Sequence, residues 1–162
     1  MDVKSRNRLI FVLVFGVSLY FAVPWIWRSW SGRALPPPNA AQLRDLEKLM
    51  ELKLPPGARP IAWTYFSALD YYILLKIEID PSALPALIEN SPFSNVPLSS
   101  TEHRFYDGVG GAWWDRGSEA QRYIYGQAGL PQGQQYQDRH LDIFVDLDNP
   151  DKYIVYLALF TN

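Results

Sequence analysis

The feature that most constrains this chain is a run of 19 residues without a charge, Leu9 to Trp27 (LIFVLVFGVSLYFAVPWIW). As a helix rising 1.5 Å per residue it would cover about 28 Å, close to the hydrocarbon thickness of a bilayer. Lys4, Arg6 and Arg8 precede it, and Arg28 and Arg33 follow. Trp25, Trp27 and Trp30 gather at its far end, where indole rings favour the headgroup interface. Pro24 falls near the end of the run, where a lost backbone hydrogen bond is more easily satisfied. The pattern predicts a transmembrane helix over residues 9–27 behind a basic segment at 1–8. A cleavable signal peptide is the competing expectation, since Gly32-Arg33-Ala34 sets small residues where a signal peptidase reads. Signal h-regions run about 7–15 residues, however, shorter than this one. The leading basic cluster favours a cytoplasmic N-terminus. The expected location is therefore the inner (cytoplasmic) membrane, crossed once by a signal anchor, with a periplasmic C-terminal domain.

Charge divides along the same line. Residues 1–35 carry net +4, from Lys4, Arg6, Arg8, Arg28 and Arg33 against Asp2. The other 127 residues hold 10 of the 15 basic and 16 of the 17 acidic side chains, a net −6. A basic stem suits anionic headgroups and an acidic body suits water. An acidic body also argues against nucleic acid, whose phosphates need a basic stripe. Because cysteine is absent, disulfides, thiolate metal sites, a thiol nucleophile and a lipoprotein anchor are excluded.

Residues 28–38 read as a linker that ends in the stiff Pro36-Pro37-Pro38. Residues 39–162 read as one soluble domain. Asn39 is an expected N-cap, with Gln42 as its capping-box partner. Leu43, Leu46, Leu49 and Met50 then recur at helical spacing, and Pro55-Pro56-Gly57 is the expected stop. Ile61–Phe66 and Tyr71–Ile79 predict a hairpin. In the second strand Ile73, Leu75, Ile77 and Ile79 form one face, Lys76 and Glu78 the other. Asp80 or Ser82 caps a second short helix through Leu87 and Ile88, with Pro85 in its first turn. Ser91–Thr101 is expected to be a polar loop, and Phe105–Tyr106 and Tyr123–Tyr125 to be short strands. The glycines at 108, 110 and 111 and the region Gly126–Gly133 are expected loops. His140–Leu147 alternates, with His140, Asp142 and Asp146 on the solvent side. Asp148-Asn149-Pro150-Asp151 is a turn. Tyr153–Phe160, apolar on both faces, predicts a central strand. The order implies an α+β domain, an antiparallel sheet with helices packed on one face.

Chemistry is harder to find. His103 and His140 lack ligand-like spacing, Asp146–Asp151 lacks the glycine and glutamate of a calcium loop, and Gly108–Gly111 lacks the lysine of a phosphate loop. No catalytic residue, metal or cofactor is expected. The most unusual local feature is Trp113-Trp114-Asp115 beside glycines, the candidate binding residues of this chain. In an extended segment the two indoles point to opposite faces, one core and one exposed. Trp113 is the expected core member, because Trp114 adjoins Asp115.

Leu54-Pro55-Pro56-Gly57-Ala58-Arg59, Trp113-Trp114-Asp115, and Val145-Asp146-Leu147-Asp148 leading into Tyr153-Ile154-Val155-Tyr156-Leu157 together resemble small bacterial envelope domains, membrane-anchored or lipoprotein. The resemblance implies an envelope setting and carries no site residue. The expected function is a membrane-anchored, non-catalytic envelope module that binds another protein, as an immunity-like or assembly subunit. The alternatives are a small-ligand or glycan binder using the tryptophans, and a hydrolase whose carboxylates or histidines converge in the fold.

Overall fold

The computed structural model describes residues 34–67, 71–101, 113–114, 119–131 and 138–161. Five antiparallel strands form one sheet: β1 (Arg59–Ser67), β2 (Tyr71–Ile79), β3 (Tyr123–Leu130), β4 (Arg139–Asp146) and β5 (Tyr153–Thr161), in the order β1-β2-β5-β4-β3. Among the described residues two α-helices, α1 (Ala40–Leu49) and α2 (Leu84–Glu89), accompany the sheet in an α+β fold. The hairpin β1–β2 and the meander β3–β5 meet along one seam, β2 against β5, paired from Tyr71↔Thr161 to Ile79↔Tyr153.

The seam follows from composition. β5 is apolar at odd and even positions, and β2 is so from Tyr71 to Leu75, so the paired strands need cover on two faces. On one face Ile73, Leu75 and Ile77 join Leu141, Ile143, Val155 and Leu157 under Leu46 of α1, Leu87 of α2 and Phe93. On the other, Leu74, Tyr125, Phe144, Tyr156 and Ala158 form a second buried cluster with Trp114. Lys76, Glu78, His140, Asp142 and Asp146 therefore do not lie on a bare solvent face. Asp142 is 4% exposed and accepts from the Tyr125 hydroxyl at 3.3 Å, while His140 stacks on Phe160 at 5.1 Å.

Helix α1 begins as its capping box requires. Asn39 Oδ1 accepts from the Ala41 and Gln42 amides at 3.0 Å, and Gln42 Oε1 accepts from the Asn39 amide at 2.9 Å. It stops well before Pro55. Glu51 adopts φ 53°, its amide and that of Leu52 turning back to the Lys48 and Glu47 carbonyls, a Schellman close without glycine. Arg139 holds that end, donating to the Leu49 carbonyl at 2.6 Å and to Glu51 at 3.3 Å. Gly57, at φ 83°, instead serves a Pro55–Ala58 turn leading into β1. Asp80, not Ser82, caps the second helical segment, a 3-10 turn at Pro81–Ala83 that runs into α2.

Two further expectations are corrected. Ser91–Thr101 is not simply polar loop, because it contains a 3-10 turn at Pro92–Asn95 whose Phe93 is core. Ser99 then exchanges two 2.8 Å backbone hydrogen bonds with Tyr125, covering the outer edge of β3. And β3 runs on through Gly126 to Leu130 where a loop was expected. Gly126 is a packing site: a Cβ there would collide with Leu98 and meet Phe93 Cδ1 at 3.6 Å, so glycine lets this segment close on the sheet. Leu35 covers the other edge, its amide donating to the Trp63 carbonyl at 2.7 Å. The expected span Leu9–Trp27, the strand Phe105–Tyr106, the glycines at 108, 110 and 111, and His103 lie outside the described residues. Among those described, no helix is long and apolar enough to cross a membrane.

Gly126→Val should lower stability by about 1–3 kcal/mol through overpacking. The same change at Gly129, which has open space around it, should stay within about 0.5 kcal/mol. Denaturant melts of the pair compare them, and equal losses would show that close packing is not what selects glycine at 126.

Candidate functional site

On the face away from the helices the sheet carries an aromatic layer. Tyr123 stacks on Phe144 at 5.1 Å, Phe144 meets Tyr156 edge-on at 5.9 Å, and Trp114 stands edge-on to Tyr156 at 5.2 Å. Trp114 is only 2% exposed and is a core residue of this layer. Trp113 is the half-buried member, 5.6 Å from Trp114 and tilted 69° to it. The expected assignment of the two was thus reversed. The opposite-face argument also fails, because residues 113–114 form a turn and both indoles pack on the same layer. Asp115 lies outside the described residues.

This layer leads to the side chain the alternation hid. Lys76, 9% exposed, lies under the turn, donating from Nζ to the Trp113 carbonyl at 2.8 Å. Its ammonium also sits 4.7 Å from the Tyr156 ring centroid, a cation–π contact. The sequence held a signal for this: Leu74 shares the face of Lys76, and a leucine there announces cover.

Lys76 and Tyr156 form the floor of a cleft of about 500 Å³, with Ile61 and Ile154 as its apolar walls. Ile61 is placed by the irregularity in β1 between Pro60 and Ala62. The rim is acidic: Glu119 and Asp148 are exposed and Asp146 is half-buried. The β4–β5 turn sets two of these carboxylates. Asp148 accepts from the Gln121 and Arg122 amides at 2.9 and 2.8 Å, and Asp146 accepts from the Asp148 amide at 2.9 Å. Nearby, Glu78 is held below the usual carboxylate range by its hydrogen bonds to Arg59 and then Lys152, each at 3.0 Å. Among the described residues no group of three or more His, Asp or Glu is arranged to hold a metal ion. A cleft with a cationic and aromatic floor, apolar walls and an anionic rim can hold a charged polar group.

A second concavity, of about 370 Å³, lies on the helix side between α1 and the β1–β2 hairpin. Leu46, Leu49, Trp63, Tyr65, Tyr71 and Ile73 line it with Gln42 and Asp45. It occupies the opposite face of the sheet from the cleft and the opposite end of β2. Neither concavity was foreseen from the sequence, since each joins residues far apart in the chain.

No family model, curated protein or solved structure matches the chain.

Trp114→Ala should cost about 3–5 kcal/mol, the range for emptying a core of a large aromatic. Trp113→Ala should cost about 1 kcal/mol, as for a partly exposed side chain. Denaturant melts of the two variants rank them, and a larger loss at Trp113 would contradict the packing described.

Proposed function

We propose that this chain is a membrane-tethered, non-catalytic module of the bacterial envelope, and that its periplasmic domain binds a basic segment of another protein in the Lys76–Tyr156 cleft. The cleft is the observation that carries the reading. Its acidic rim belongs to a body of net −6, so a partner's lysine or arginine side chains find complementary charge. Ile61, Ile154 and Tyr156 offer the apolar surface that lets such long side chains lay down their methylene stems. The Trp113 carbonyl accepts from Lys76 of the cleft floor, and Trp113 is the half-buried one of the two tryptophans. The tether rests on the charge-free run Leu9–Trp27 and its basic flanks.

One observation favours a second reading, a small cationic ligand: the cleft volume lies within the range of small-ligand pockets, about 300–1,000 Å³. A glycan platform is less well supported, because Trp114 is buried and Trp113 is tilted against it.

Crosslinking and pull-down from native membranes separates these readings. The full chain should capture a protein, and capture should weaken as salt rises. Glu119→Lys, at an exposed rim position, should reduce capture by about tenfold and move stability by less than about 0.5 kcal/mol. Capture that ignores both salt and this charge reversal would overturn the cleft as the recognition surface. Loss of a small molecule on dialysis, with no protein captured, would favour the second reading.

A further inference from the structure

Three large apolar side chains stand well exposed among the described residues: Leu35 at 40%, Leu49 at 41% and Tyr65 at 53%. They are distant in sequence yet gather at one corner. Leu49 and Tyr65 line the groove beside α1, and Leu35 pairs with Trp63, which lines it too. Exposed apolar residues are common singly, but a cluster beside a groove marks a contact surface.

The position of this corner points to what it contacts. Leu35 is the first of the described residues to pair with the sheet, and the charge-free run ends at Trp27, eight residues earlier. Eight residues, even fully extended, reach at most about 28 Å. A domain of this length is about 36 Å across. The tether is therefore shorter than the body it holds, and the corner at Leu35 is the part it keeps nearest the bilayer. Arg44 and Lys48 stand exposed on α1, flanking Asp45 of the groove.

We propose that this corner docks on the bilayer surface, with Leu49, Tyr65 and Leu35 in the headgroup layer and the basic side chains among anionic headgroups. The proposal rests on the tether. It adds a fixed orientation: because the cleft lies on the opposite sheet face and at the other end of β2, docking turns the cleft away from the membrane and leaves it open to a partner. Tyrosine suits the boundary, with its ring in the apolar zone and its hydroxyl in water.

The absence of cysteine makes the test direct, since any single introduced cysteine is unique. The full chain carrying Leu49→Cys, Tyr65→Cys or, as the reference, Glu119→Cys is labelled with an environment-sensitive fluorophore. Each is reconstituted in vesicles of zwitterionic and anionic phospholipid bearing a nitroxide on the headgroup. All three positions are exposed, so labelling leaves the fold intact. Quenching at 49 and 65 should exceed that at 119 by about threefold, as for side chains seated at the headgroup boundary. Equal quenching at the three positions, in a chain that resists carbonate extraction, overturns docking and leaves the tether standing. Release by carbonate overturns both. Self-quenching between labels at 65 without nitroxide identifies a second copy as the occupant and overturns the bilayer as the partner.

Discussion

The rest of the molecule depends on the pairing of β2 with β5. These strands join a hairpin to a meander through one antiparallel ladder, and their central residues are buried on both sides. A sheet that is apolar on two faces cannot leave either in water. The α1 and α2 helices and the Phe93 turn cover one face; the aromatic layer completed by Trp114 covers the other. Without the seam neither cover has a surface to pack on.

The candidate sites lie at the borders of this cover. Along β2, Tyr71 and Ile73 line the α1 groove on the helix side. Lys76 lines the cleft on the aromatic side. The lysine is tolerated in a nearly buried position because a carbonyl and a ring face both take up its charge. Among the described residues, the outer edges of the sheet are bridged by Leu35 on β1 and by Ser99 on β3. Such bridges blunt the unpaired backbone that edge strands otherwise present.

Much of the fold was legible in the chain because its signals are local. The capping box at Asn39 and Gln42, the alternation of Tyr71–Ile79 and the two-sided apolar run after Tyr153 each act within a few residues. What was not legible depended on distant partners. Gly126 reads as a loop residue until Leu98 and Phe93 are brought against it. Asp142 reads as a solvent residue until the Tyr125 hydroxyl is placed beside it. Trp113 and Trp114 read as opposed until the backbone is seen to turn rather than extend. Helix α1 ends where Glu51 accepts a left-handed conformation, and no propensity rule assigns that to glutamate. Most of the candidate cleft was hidden for the same reason, since Ile61, Lys76, Glu119, Asp148 and Tyr156 come from five separate segments.

The β2–β5 seam should be the last of the described segments to open. Native-state hydrogen exchange on the full-length chain tests it directly. Amides in Ile73–Ile77 and Val155–Leu159 should exchange only through global opening, sharing one free energy equal to that from denaturant unfolding, while amides of edge strand β1 open at lower free energy. Exchange at the seam as fast as at Trp63–Phe66 of β1 would show that the β2–β5 pairing does not hold the fold together.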